Sequence, residues 1–173
     1  MPKSRKDANK IKSLDQVASI VNVIRKKGKT IGLITGCFDI LHIGHIEFLR
    51  EAKEHCDILI VGLDNDKTIK LSKGGSRPIY NLKQRSKVMS ELISVDYVFS
   101  IETVYSFSAN EASSVLTKVT EKINPNFLFT NPLSDKFWKE KKFRAKSLGA
   151  RLINIKKEIS SSTSIIEKLE AEI

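Results

Sequence analysis

A chain of 173 residues, 40% hydrophobic and 29% charged, fits one compact domain and leaves little room for a second. Eight glycines and four prolines exclude a collagen-like or low-complexity chain. The formal charge of +10 invites a polyanion-binding reading, but the surplus sits at the edges of the chain. Residues 1–12 carry five bases against one acid and residues 134–157 nine against two, whereas residues 13–133 hold 15 bases and 13 acids. Residues 1–12 read as a basic flexible leader ahead of one domain at 13–173. No apolar run approaches the ~18 residues of a membrane span, and the N-terminus lacks a secretory-type apolar centre, so a soluble cytoplasmic protein is expected. Cys37 and Cys56 have neither the number nor the spacing of a disulfide framework and read as small core residues in a reducing compartment.

In chain order, Leu14, Val17, Ile20, Val21 and Ile24 recur at helical spacing, with Ser13 as cap and Gly28 as stop, and predict an amphipathic leading helix. Short apolar runs rich in Ile, Val, Leu and Phe follow at 31–35, 57–63, 96–101, 126–130 and 151–155. They mostly do not alternate, so they predict strands buried on both faces. Segments at 44–55, 81–93, 110–123, 135–147 and 162–171 are long enough for helices. Strands alternating with helices predict a single Rossmann-like, doubly wound parallel α/β sheet, whose ligands bind at the carboxyl ends of the strands.

Directly after the first predicted strand the chain reads Gly36-Cys37-Phe38-Asp39-Ile40-Leu41-His42-Ile43-Gly44-His45, and then a helix begins. A helix N-terminus offers free N–H groups and a positive dipole end to an anion, and Gly44 lets a phosphate approach the backbone. His42 and His45, three apart, share a face and can both donate to one phosphate group. That suits chemistry at phosphorus, where preorganised donors meet developing charge and no side-chain nucleophile is needed. A zinc site built from Cys37, His42, His45 and Cys56 is disfavoured, because their spacing fits no common structural site.

These residues resemble the GxFDxxHxGH signature of the cytidylyltransferase-like nucleotidyltransferases. Class I aminoacyl-tRNA synthetases share the HIGH tetrapeptide, but the chain is too short for one and has no KMSKS-like sequence. Residues 13–103 and the C-terminus are most similar to the adenylyltransferase domain that makes ADP-heptose from ATP and a heptose 1-phosphate. The resemblance implies catalytic roles for His42, His45 and Lys73. It implies nucleotide binding by Gly36, Cys37, Phe38, Gly44, Asp66, Ser161, Ser162 and Thr163, and substrate binding by Asp39, Arg77 and Arg85. It further implies Mg²⁺ bound mainly through triphosphate oxygens and water, with few protein ligands, and a homodimer.

The chain departs from that pattern at Thr130–Phe137, where the adenylyltransferases carry a Lys-Gly-Gly-Asp-Tyr-like stretch, at Thr35, where asparagine is usual, and at Lys156, where related cytidylyltransferases have arginine. Two alternatives stay open. One is a cytidylyltransferase acting on a phosphoalcohol such as glycerol 3-phosphate. The other is a non-catalytic module that binds nucleotide or a polyanion such as RNA through the Lys-rich stretch 136–146, although that stretch lacks the aromatic interleaving of single-strand readers.

Overall fold

The computed structural model describes residues 10–156. Strands β1 (Ile31–Gly36), β2 (Ile58–Asp64), β3 (Tyr97–Ile101), β4 (Phe127–Thr130) and β5 (Arg151–Asn154) form one parallel sheet in the order β3-β2-β1-β4-β5. The helices are α1 (Leu14–Arg25), α2 (Ile43–Glu54), α3 (Asp66–Lys73), α4 (Leu82–Ser90), α5 (Ala109–Ile123) and α6 (Trp138–Ser147). From β1 the chain moves outward through β2 to the β3 edge, then returns by way of α5 to β4 on the other side of β1. The reversal falls between β1 and β4, and a crevice opens there at the carboxyl ends of the strands.

Both faces of the sheet are covered, which explains why the strands read as continuous apolar runs. On one face Ile31, Leu33, Ile60 and Phe99 pack with Val17 and Val21 of α1, Ala112, Val119 and Ile123 of α5, and Ala145 of α6. On the other, Ile34, Leu59, Val61 and Phe129 pack with Leu49 and Ala52 of α2 and Met89 of α4. Two strand glycines make room for rings: a Cβ at Gly62 would come 2.6 Å from Phe99, and one at Gly32 would come 2.7 Å from both Cys56 and Phe129.

The leading helix begins where expected, with Ser13 and Gln16 closing a capping box, and ends at Arg25, ahead of Gly28. Residues 10–12, read from sequence as part of a flexible leader, form a short parallel bridge against Val98 of β3. Three local differences concern the helices. The helix expected over 81–93 stops at Ser90, because Leu92 and Val95 turn into the core. The helix expected from 135 starts at Trp138, because the Asp135 carboxylate takes the Phe137 N–H and holds residues 134–137 as an entry loop. Helix α3 was not expected at all: it has eight residues, is nucleated by Asn65 accepting the Thr68 N–H, and buries only Thr68 and Ile69. The predicted helix 162–171 lies outside the described residues.

Candidate active site

Beyond Gly36, residues Cys37 to His42 turn the chain from β1 into α2. Phe38 is held at φ 46°, a conformation bulky residues rarely adopt, and its ring lies 5.1 Å from that of His45. His42 is the extended N-cap residue, and its carbonyl accepts the His45 N–H at 2.9 Å. The two imidazoles stack with centroids 3.8 Å apart. Each leaves its Nδ1 buried, with no hydrogen-bond partner among the described residues. An orphaned buried polar atom on each ring, at the positive end of a helix, is a geometry that an anionic ligand would complete.

Burial lowers the pKa of both histidines, and for His45 the positive charges of His42 and Lys73 add to it, bringing it down to about 4. Both rings are therefore neutral at pH 7, and each offers one N–H donor. The linkage has a definite sign. An unfolded His45 titrates near 6.5 and the folded one near 4, so between these values the unfolded state holds more protons. The contribution is complete above pH 6.5 and is lost as the pH falls toward 4, by about 2–3 kcal/mol at pH 4.5. Denaturation between pH 7.5 and 4.5 should show this decline, and His45→Asn should flatten it; an unchanged slope in the variant would contradict the assignment.

The same turn lies in a cavity of about 410 Å³ lined by Gly36, Cys37, Phe38, Asp39, His42, Gly44, His45 and Lys73, the last from the end of α3. Eight residues nominated from the sequence thus meet in one crevice. Its floor holds Asp64, which the sequence reading missed although it ends β2. The Tyr105 hydroxyl donates to Asp64 Oδ1, and the Cys37 thiol reaches Oδ2 at 3.4 Å. Burial pushes the Asp64 carboxyl up against the pull of those two donors. Burial and the Asp64 carboxylate together push the Cys37 thiol up to about 12, so it is no nucleophile at neutral pH.

Arg85, Asp66 and Arg77, expected to face a ligand, do not line this cavity. The Arg85 side chain is fully buried and donates to Tyr80 O, Cys37 O, Asp64 O and Asp66 Oδ1 at 2.6–3.0 Å. Asp66 also accepts the Leu82 N–H, tying α3 to α4. Asp39 Oδ1 accepts the N–H groups of Ile79 and Tyr80, and its Oδ2 lies 2.8 Å from Arg77 Nε in an ion pair without hydrogen-bond alignment. These four side chains fasten the loop at 74–81 to the β1 and β2 ends. Ser161, Ser162 and Thr163 lie outside the described residues.

The remaining wall comes from α5, the β4 exit and α6. The Asp135 carboxylate accepts from Thr130 Oγ1 and Lys141 Nζ, each at 2.6 Å, and Lys141 also reaches Phe129 O. Burial opposes the charge on Asp135, but Lys141 prevails and holds the carboxyl below its usual range. Arg144 completes this wall.

Sheet order and cavity together define a doubly wound α/β protein with an anion-suited crevice at its switch point. Residues 33–168 match the cytidylyltransferase-like family, and the chain belongs to that family. Among its relatives is the bifunctional protein HldE of Aliarcobacter butzleri, 43% identical over 97 residues that span 55% of this chain and 20% of that protein. The HldE of Hydrogenovibrio crunogenus is 41% identical over 108 residues, spanning 61% of this chain and 22% of its own. This chain therefore covers about a fifth of the length of those relatives. A lipopolysaccharide core biosynthesis protein of Thermoplasma volcanium superposes with a TM-score of 0.61 at 27% identity, covering 76% of this chain and all of its own. A pantoate-beta-alanine ligase of Francisella tularensis shares the fold, with a TM-score of 0.66 at 20% identity over 94% of this chain and 78% of its own. No helix among the described residues is long and apolar enough to cross a membrane.

Proposed function

We propose that the protein is a nucleotidyltransferase that joins AMP from ATP to the phosphate of a sugar 1-phosphate, with a heptose 1-phosphate as acceptor, and releases pyrophosphate. The observation that carries this reading is the stacked His42–His45 pair at the start of α2, its buried Nδ1 atoms without a partner among the described residues, with Lys73 in the same cavity. Family membership and HldE-named relatives support the substrate class.

In this reading an oxygen of the acceptor phosphate attacks the α-phosphorus of ATP. A new phosphoanhydride bond forms, the bond to the β-phosphate breaks, and pyrophosphate leaves with the electron pair. The chain supplies no nucleophile. His42 and His45 donate to the α-phosphate oxygens as charge develops there, and Lys73 reaches the α-phosphate and the incoming phosphate. Gly36, Cys37, Phe38 and Gly44 shape the turn that admits them. Asp39, Arg77, Asp66 and Arg85 act indirectly, by holding the loops that frame the cavity. Ser161, Ser162 and Thr163 are assigned to the β- and γ-phosphates on the resemblance alone.

Mg²⁺ fits as a passenger of the triphosphate. Asp39, Asp64 and Asp135 are all engaged within the protein, and no group of three His, Cys, Asp or Glu side chains converges among the described residues. Phosphate oxygens and water would therefore hold the ion, which neutralises charge on the triphosphate.

Incubation with each nucleoside triphosphate, Mg²⁺ and a panel of phosphorylated acceptors tests the reading by pyrophosphate release. Turnover is expected with ATP and a heptose 1-phosphate. Preference for CTP with glycerol 3-phosphate would replace the substrate assignment, and release with no pair would overturn the transferase reading.

A further inference from the structure

We infer that Arg144 binds the phosphate of the acceptor, an assignment that rests on the transferase reading and names a residue it lacks. Two anions must be brought side by side for that reaction, and neutral histidines with Lys73 shared between the α-phosphate and the incoming phosphate leave charge for a further cation to meet. The two arginines nominated from sequence lie outside this cavity: Arg85 serves four protein acceptors, and Arg77 pairs with Asp39, although its Nε and Nη2 have no hydrogen-bond partner among the described residues.

Arg144 lines the same cavity from α6 and is 5% exposed. Among the described residues its Nε, which is buried, has no hydrogen-bond partner, and its side chain forms no ion pair. The neighbouring cation, Lys141, is already neutralised by Asp135 at 2.6 Å. Burial lowers the Arg144 pKa, while Asp135, Tyr105 and Glu140 lie near enough to offset part of that effect. A guanidinium stays charged even so. A buried charge with an unmade hydrogen bond is a costly feature unless a partner completes it, and Arg144 belongs to the lining of the cavity. A phosphate answers the planar fork with two parallel bonds. Helix α2 packs on the opposite face of the sheet from α6, so Arg144 reaches the cavity from the side away from the histidine donors.

The test is calorimetric titration of the full chain with inorganic phosphate, the nucleotide site being filled by α,β-methylene ATP and Mg²⁺. Arg144→Gln is expected to weaken phosphate binding ~10-fold or more, while leaving affinity for the analogue within about twofold; Arg144→Lys, which keeps the charge without the fork, should recover part of the loss. Unchanged phosphate affinity in Arg144→Gln would overturn the assignment. So would loss of analogue affinity with phosphate binding intact, which would give Arg144 to the triphosphate. Should the glutamine variant fail to fold, the unmutated chain still decides the matter: the Arg144 Nε–H resonance should shift saturably as phosphate is added, and an unmoved signal would refute the contact. Phosphate bound through Arg144 in a chain that turns over no acceptor would sink the transferase reading alone. Turnover with an unchanged acceptor KM in Arg144→Gln would sink this inference alone.

Discussion

His45→Ala is expected to lower the rate of pyrophosphate release by about 10²–10³-fold, the usual consequence of removing one preorganised donor from a charge-developing centre. The ring is half-buried, stacked on His42 and packed near Phe38, and its only hydrogen-bonding nitrogen without solvent, Nδ1, has no partner among the described residues. Little folding energy is tied up in it, and near neutral pH the melting temperature should stay within a few degrees. The loss should fall on kcat more than on KM for the nucleotide, because the donor matters most when the α-phosphate carries extra charge. A variant with near-normal kcat would remove His45 from the chemistry. A variant with lost kcat and a collapsed fold would make it structural.

Arg85→Ala should act in the opposite way, on stability first. Its side chain is fully buried and serves three backbone carbonyls from three segments as well as the Asp66 carboxylate. Truncation would strand all four acceptors, and breaking such a buried charged network costs about 3–5 kcal/mol. For a chain of this size that corresponds to a fall in melting temperature of roughly 10 °C. Because Cys37 and Asp64 border the cavity, activity measured well below that temperature should also drop, and Arg85→Lys should recover little of either, since one ammonium cannot span these acceptors. A variant of unchanged stability with only a raised acceptor KM would instead show that Arg85 contacts substrate.

The contrast between these two residues shows what the sequence carried. The Gly36–His45 turn was legible because its members are contiguous: a strand end, a glycine and two histidines at helical spacing imply one location without knowledge of tertiary packing. The strands were legible because a parallel sheet covered on both faces needs unbroken apolar runs, and the observed β1 to β5 fall within a residue or two of those runs. Arg85 and Arg77 could not be placed in this way. A sequence states that a cation is present near a site but not which way it points, and burial here turned both toward protein acceptors. Asp64, Tyr105 and Arg144 reach one cavity from β2, the segment after β3, and α6, so only the packed fold unites them. Arg144 was hidden further by its surroundings, since in sequence it is one base among the Lys-rich surplus at 134–157. Helix α3 escaped notice because an eight-residue helix that buries two side chains leaves almost no periodic signal.

That surplus of bases is divided between the cavity wall and the surface. Within the stretch, Lys141 and Arg144 belong to the cavity wall, whereas Phe143 is exposed with its lysine neighbours, so part of the excess is committed to the crevice. Lys141 is matched by Asp135, whereas Arg144 has no ion-pair partner among the described residues.

The proposed reaction transfers the adenylyl group of ATP to the phosphate of a sugar 1-phosphate. Its most direct measurement is incubation of the protein with ATP labelled at the α-phosphate, Mg²⁺ and heptose 1-phosphate, followed by separation of the products. The label is expected to appear in a nucleoside diphosphate sugar, in step with one pyrophosphate released per molecule formed. Label that remains in ATP, or emerges as free AMP without a sugar adduct, would contradict it.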